Sequence, residues 1–277
     1  MVETMPAQAD PPIREITYLG VRISCLDVPA AAARIAARGA TAPFAYVVTP
    51  NAQHFVRLGR LKDARFADAY DHAWLRLLDG KTPRALARRV FGLDIPHAAG
   101  SDLTAHLFAH HMAPSDAVTV IGGSDEMRRR LTDQFGLTAV KLFNPSMGFI
   151  NKPDEVTACV DFVLAHPARY VFFAVGAPAS EYLARLVEMR GGAVGTGLCV
   201  GSSLNFVTGI VQRAPEFYRR HGLEWLHRLL LNPKGHGRRV FVDSMPLLLM
   251  VADARRNPAA YGMAAAQRGP LEGKAEP

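Results

Sequence analysis

The sequence predicts an α/β protein of the doubly wound kind: a parallel sheet with helices on both faces, followed by a basic helical C-terminal appendage. Three observations predict it. Seven short apolar runs alternate with longer stretches of helical pattern. The runs are apolar almost throughout, not at every second residue, as expected of strands covered on both faces. Most of them end on a glycine or a short polar turn that leads into the next element.

The predicted strands, in order, are 16–23 (ITYLGVRI), 45–48 (AYVV), 74–78 (WLRLL), 117–121 (AVTVI), 139–143 (AVKLF), 170–175 (YVFFAV) and 198–200 (LCV). Helical stretches are read at 30–37, 102–111, 125–134, 153–165 and 180–189. The turns after the strands are Thr49-Pro50-Asn51, Asp79-Gly80, Gly122-Gly123, Gly176-Ala177-Pro178 and Gly201-Ser202-Ser203. From about residue 206 the character changes. Seven basic residues (Arg213, Arg219, Arg220, Arg228, Lys234, Arg238, Arg239) face only two acidic ones, Glu216 and Glu224, within 213–239. Phe217, Leu223, Trp225, Leu226 and the leucines at 229–231 are interleaved with them. This reads as a basic amphipathic helix, a loop at 232–237, and further helix. The expected organisation is a loose tail at 1–12, a core at 13–209, the appendage at 210–257 and a second tail at 258–277. Both tails are rich in Pro, Ala, Gly and charge.

The chain has 277 residues and a formal net charge of +7, and only six of its 32 basic residues are lysine. Arginine's planar fork suits phosphate and carboxylate groups, so anionic partners are expected. Hydrophobic residues at 49% and charged residues at 21% exclude a disordered chain. The cysteines, Cys25, Cys159 and Cys199, are odd in number and far apart, which fits a reducing compartment and no disulfide framework. The start lacks an apolar stretch, so no signal peptide is expected. The apolar runs fall well short of the ~20 residues of a membrane span. The expected place is the cytoplasm, free or on a membrane surface.

In an open α/β sheet ligands sit beyond the carboxyl ends of the strands. The strand-end turns therefore outline one anion-binding crevice, with backbone N–H groups and helix N-termini facing it. Asp79 is the sharpest candidate: a carboxylate ending an apolar strand is partly desolvated and becomes a better general base. The plainer reading is that Asp-Gly is a common turn pair. Thr49 and Asn51 bind a ligand or cap the next helix. His106 and His110 have the i,i+4 spacing of a chelate, but no Glu completes H-E-x-x-H, and a helix face is the plainer reading. No CxxC pairing suggests zinc. No G-x-G-x-x-G follows an early strand; Gly195-Thr196-Gly197 with Gly201 imitates it poorly and late, which disfavours a dinucleotide-dependent oxidoreductase. Nor is there an Asp-x-Asp, so a bound diphosphate would be neutralised by arginine and backbone N–H groups and not through a metal.

The order of the motifs adds a resemblance. TPNAQH (49–54), LLDG (77–80), GSDL (100–103), VIGG (120–123), VGAPASE (175–181), VGSSLNFVTG (200–209), RAPEF (213–217) and LEWLHRL (223–229), then Arg238-Arg239, run in this order. From about residue 16 to about 242 the chain resembles the WecG/TagA/CpsF family of bacterial glycosyltransferases, family 26. The resemblance implies a Rossmann-like core and an inverting, metal-independent hexosyltransferase with no cofactor. The donor would be a UDP-sugar carrying N-acetylmannosamine, its uronic acid or glucose. The acceptor would be a polyprenyl-diphosphate-linked sugar at the inner face of the cytoplasmic membrane, in exopolysaccharide or other cell-surface polysaccharide synthesis. It makes Asp79 the catalytic carboxylate, with Thr49 and Asn51 beside it. Nucleotide and diphosphate contacts are expected from Gly100, Ser101, Asp102, Gly122, Gly123, Gly176, Ser180, Glu181, Arg228 and Arg238. The appendage would close over the site and lie on lipid.

The chain also departs from the family pattern. Ser180 stands where Gln is usual, His97 where Arg often precedes GSDL, Asn205 where Asp is usual, and Pro233-Lys234-Gly235 replaces Pro-x-Arg. These changes bear on donor choice. Two other classes remain at this stage: a catalytically silent membrane-surface scaffold of the same fold, and an Arg-rich nucleic-acid binder. The second leaves Asp79 and the strand-end glycines unexplained, so no nucleic-acid partner is expected. The sequence leaves self-association open.

Overall fold

The computed structural model describes residues 12–215, 217–218, 226, 229–230 and 245–263. Six strands form one parallel sheet: β3 (Ala45–Val48), β4 (Leu75–Arg76), β5 (Val118–Ile121), β6 (Val140–Phe143), β7 (Tyr170–Phe173) and β8 (Thr196–Cys199). Their spatial order is β4-β3-β8-β7-β5-β6, every neighbouring pair parallel. The chain builds outward from β3 to β4, crosses to β5 and β6 at the far edge, then returns to fill the middle with β7 and β8. All carboxyl ends therefore lie on one edge.

Side chains that alternate along each strand are divided between two helical layers, as the period of two requires. Tyr46, Val48, Ile121, Val171, Phe173 and Cys199 pack on one face. That face is covered by α2 (Ala52–Gly59), α3 (Ala64–His72), α4 (Lys81–Phe91), α7 (Pro153–Ala165) and α8 (Ala179–Arg190). Val47, Leu75, Val118, Val120, Tyr170, Phe172 and Leu198 pack on the other, under α1 (Val28–Ala37), α5 (Gly100–His110), α6 (Asp125–Phe135) and the short α9 (Ser203–Val207). The doubly wound expectation therefore holds.

Two features differ from the sequence reading. The expected strand at 16–23 is a hairpin, β1 (Glu15–Tyr18) and β2 (Val21–Ser24), paired antiparallel outside the main sheet. Leu19 and Gly20 have φ of 49° and 83°, and this left-handed pair turns the chain back on itself. The buried Arg76 holds the hairpin down: its guanidinium donates to the carbonyls of Arg22 (2.6 Å), Ala73 (2.6 Å) and Tyr70 (3.1 Å) and to Glu15 Oε1 (2.7 Å). Second, α2, α3 and α4 were not singled out from sequence. Each is short and opens on a local signal: the Asn51 and Asp63 side-chain caps, or Gly80 with φ 95°.

Of the basic appendage, most positions from 219 to 244 lie outside the described residues, among them Trp225, Lys234 and Gly235. The segment that follows forms α10 (Pro246–Arg256). Its Leu247, Met250, Val251 and Ala254 are buried, and it packs on α2 and α4. The Met250 methyl group lies where a Cβ on Gly59 of α2 would stand. Helix 246–256 thus seals the core, while Leu248 and Leu249 stay exposed. A 3₁₀ turn at Pro258–Tyr261 follows, and Met263 is buried.

Candidate active site at the carboxyl edge of the sheet

The turns after β3 and β4 are welded together. The Asp79 N–H donates to the Pro50 carbonyl at 2.9 Å, and Leu77 N–H to Val48 O at 3.0 Å. Asp79 is half-buried at this edge. Thr49 is buried, and its hydroxyl donates to the Cys199 carbonyl of β8 at 3.3 Å. Asn51 is the N-cap of α2; its Oδ1 accepts from Gln53 N–H (3.0 Å) and His54 N–H (3.3 Å). Both Thr49 and Asn51 thus have a fold-holding role.

The start of α5 joins the same region. Ala98 N–H donates to Leu78 O at 2.9 Å, and Gly100 packs between Thr49 Oγ1 and Val200. Asp79, Thr49, Asn51 and Gly100 are thus brought together. Ser101 and Asp102 extend the group, but both are engaged by Arg213, which the sequence reading did not place at the site. The fork of Arg213 donates to Asp102 Oδ1 at 2.8 Å and to Ser101 Oγ at 2.9 Å. Its sequence signals were the RAPEF segment and its place in the basic run of 213–239.

Farther along the edge, Gly122 and Gly123 have φ of 93° and 100°. A Cβ on Gly122 would stand about 3.0 Å from the Ala174 carbonyl and 2.9 Å from Val175, so glycine is required there. The Gly122 N–H donates to Phe143 O at 2.8 Å, which spends it on β6. Gly176 (φ 77°) has open space where a Cβ would be. Ser180 does not face a ligand: it is 1% exposed and its hydroxyl donates to Phe173 O at 2.9 Å. The imitation phosphate loop is no loop, since Thr196 and Gly197 lie in β8.

Glu181 is also 1% exposed, and its Oε2 finds no hydrogen-bond partner among the described residues. Burial pushes its carboxyl up to about 7, against its own backbone N–H and the Arg57 charge. Nearby, the Tyr70 hydroxyl lies 2.8 Å from His54 Nδ1, both side chains buried. Burial, then the charges of Glu181, Cys199 and Asp79, hold the Tyr70 proton on. Glu181 was expected at the nucleotide or diphosphate, and the structure buries it in α8; the His54–Tyr70 pair was invisible in the sequence, because its members lie on α2 and α3.

The expected arginines Arg228 and Arg238 lie outside the described residues. His97 and Asn205 are half-buried near the edge. His106 stacks on His110 and His111 with ring centroids 4.4 and 5.6 Å apart, and His111 is pushed down by burial and its two neighbours. Among the described residues no group of three or more His, Cys, Asp or Glu is arranged to hold a metal ion, and no helix is long and apolar enough to cross a membrane.

The fold is doubly wound α/β, a class in which ligands bind beyond the carboxyl ends of the strands. A family model for the WecG/TagA/CpsF glycosyl transferases matches residues 16–261, and the chain belongs to that family. Membership supports glycosyl transfer in cell-surface polysaccharide synthesis. In general terms it implies a sugar-nucleotide donor and a lipid-linked acceptor.

Proposed function

We propose that the protein is an inverting hexosyltransferase that moves N-acetylmannosamine, its uronic acid or glucose from a UDP-sugar to a polyprenyl-diphosphate-linked sugar. The observation that carries this reading is the welded pair of turns. A half-buried carboxylate, Asp79, is fixed by its own N–H beside Thr49 and Asn51, at the edge where this fold class binds ligands.

In this mechanism Asp79 takes the proton of the acceptor hydroxyl as that oxygen attacks the anomeric carbon. The bond from the anomeric carbon to the diphosphate oxygen breaks on the opposite side, and UDP leaves with both electrons. Inversion follows from the single in-line displacement. Thr49 and Asn51 position the acceptor and the base. The charge growing on UDP is met by the α5 N-terminus at Gly100, the turns at Gly123 and Gly176, and Arg228 and Arg238. No metal is needed in this scheme, because arginine forks and N–H groups take its part and the sequence has no Asp-x-Asp.

The enzyme works at the cytoplasmic face of the membrane. Phe217, Leu230, Leu248 and Leu249 are exposed, and Arg255 and Arg256 lie in the last turn of α10. Apolar side chains with flanking cations suit an anionic bilayer, at about 1 kcal/mol per basic residue near the surface.

The test is UDP release from a panel of UDP-sugars with a polyprenyl-diphosphate-sugar acceptor analogue and EDTA. Turnover with one donor is expected, reduced roughly 10²–10⁴-fold in Asp79→Asn without loss of folding. Undiminished turnover in that variant would remove Asp79 from the chemistry. Turnover that EDTA abolishes would overturn the metal-independent scheme.

A further inference from the structure

Helix α4 leaves the candidate site directly. Its N-cap is Gly80, the residue after Asp79, and its sequence is KTPRALARRVF. Pro83, Ala87 and Phe91 bury one side of it, while Lys81, Thr82, Arg88 and Arg89 stand exposed on the other. The helix has four basic residues and no acidic one. Arg84 is tied to the fold, because its Nε donates to the Ile95 carbonyl at 3.1 Å. Arg88 and Arg89, in the last turn, form no ion pair among the described residues. A helix dipole favours cations in that turn, which accounts for their stability there but not for what lies beside them.

The neighbour is α10, which packs on α4 and buries Leu247, Met250 and Val251 in the same core cluster as Ala87 and Phe91. Its outward side repeats the arrangement. Leu248 and Leu249 are exposed, and Arg255 and Arg256 end the helix. The only acid in the two helices is Asp253, whose carboxylate accepts from the Tyr261 hydroxyl at 2.8 Å. Arginines elsewhere are spent on carboxylates: Arg128 on Asp125 (3.1 Å), Arg130 on Glu126 (2.7 Å) and Arg185 on Asp68 (2.8 Å). One side of the protein therefore combines exposed leucines with unspent guanidinium groups.

We propose that α4 docks the core on the bilayer: Arg88 and Arg89 bind anionic phospholipid headgroups beside the leucines of α10, and so hold the Asp79 turn at the level where a lipid-linked acceptor presents its sugar. The inference rests on the transferase reading above and deepens it. A polyanion such as nucleic acid would use the same cations but has no use for Leu248 and Leu249, whereas a bilayer takes both. The geometry suits the task. Arg88 lies seven residues beyond Lys81, about 10 Å along the axis, and Lys81 is two residues from Asp79. The docked stripe thus ends close to the catalytic turn. Docking of this kind concentrates the enzyme where the acceptor is, so it acts on KM for a membrane-embedded acceptor and not on kcat.

The experiment uses the full chain and two readouts. The first is cosedimentation with phosphatidylglycerol-containing vesicles and with pure phosphatidylcholine vesicles. The second is kcat and KM, measured with a polyprenyl-diphosphate-sugar acceptor embedded in the former vesicles and with a short-chain, water-soluble acceptor analogue. Arg88→Gln with Arg89→Gln should bind the anionic vesicles roughly 25-fold more weakly, at about fivefold per cation near such a surface. KM for the embedded acceptor should rise in step, with kcat unchanged and both constants unchanged for the soluble analogue. Arg88→Lys with Arg89→Lys keeps the charge and should keep the binding. Arg128→Gln with Arg129→Gln makes the same change in net charge on α6, across the sheet, and should leave both readouts alone. Undiminished vesicle binding in the α4 glutamine variant, or an equal loss in the α6 variant, overturns the inference. Turnover with the soluble analogue would then leave the transferase reading standing. Wild-type protein that binds anionic vesicles but turns over neither acceptor would remove the transferase reading, and with it the role given to α4.

Discussion

Glu181 makes a prediction about stability that needs no substrate. Its carboxyl titrates near 7 in the folded protein, against 4.5 for an unperturbed glutamate. The folded state therefore holds a proton that the unfolded chain has already released across this window. Where the folded state binds more protons, stability falls as pH rises. The contribution is complete below about pH 4.5 and is lost as pH passes 7. A shift of this size corresponds to about 3 kcal/mol at roughly 1.4 kcal/mol per unit, and full burial leaves no solvent screening to reduce it. Glu181→Gln keeps the shape and carries no titration. Urea unfolding at pH 5, 6, 7 and 8, with the wild type and the variant side by side, isolates the effect, because other groups cancel in the difference. The carboxyls held below their usual range, Asp63, Asp68 and Glu155, titrate below this window. The wild type should lose stability relative to the variant as pH rises, by about 3 kcal/mol over the whole range. Parallel curves would show that Glu181 is solvated or ion-paired in solution, and the reasoning would fail.

Three further outcomes follow from the packing. Asn51→Ala removes both acceptor contacts at the start of α2 and should cost about 1 kcal/mol in urea unfolding. If Asn51 only caps the helix, Asn51→Asp restores activity as well as stability. Arg76→Met strips donors from three carbonyls and from Glu15 in a buried site, and should cost roughly 3–5 kcal/mol. The paired change Leu248→Ser with Leu249→Ser touches only exposed side chains of α10, so it should shift stability by about 0.5 kcal/mol or less while weakening cosedimentation with anionic vesicles.

The layered sheet was legible in the sequence because its signals are local and strong. Strands such as Ala45–Val48 and Tyr170–Phe173 are continuous apolar runs, and a strand buried on both faces has no other way to be written. The hairpin was misread as one strand because Leu19, at the turn, is an apolar residue in a left-handed conformation, and Gly20 alone gives a weak turn signal. Asp79, Thr49 and Asn51 could be singled out because each ends an apolar run. The His54–Tyr70 pair and the Arg213 contacts to Ser101 and Asp102 could not, since their meaning lies in contacts across 16 to 112 residues of chain. Ser180 shows the converse: a polar residue in the right motif whose hydroxyl serves the Phe173 carbonyl of the preceding strand.

The hydrogen bonds at the carboxyl edge also constrain how it can hold an anion. A strand-end turn is a phosphate site only if its N–H groups are unspent. Here the N–H groups of Asp79 and Gly122 already serve Pro50 and Phe143. At the start of α5, the carboxylate of Asp102 would repel a diphosphate unless its charge were matched. Arg213 supplies that match, and its fork spans Asp102 and Ser101 at once. A diphosphate bound at Gly100 would therefore meet a neutralised helix start, not an acidic one, and its attraction would come from the remaining N–H groups. Arg213→Met should for that reason weaken UDP binding while leaving the Asp79 turn intact. Unchanged UDP affinity in that variant would place the diphosphate elsewhere along the edge, toward Gly176.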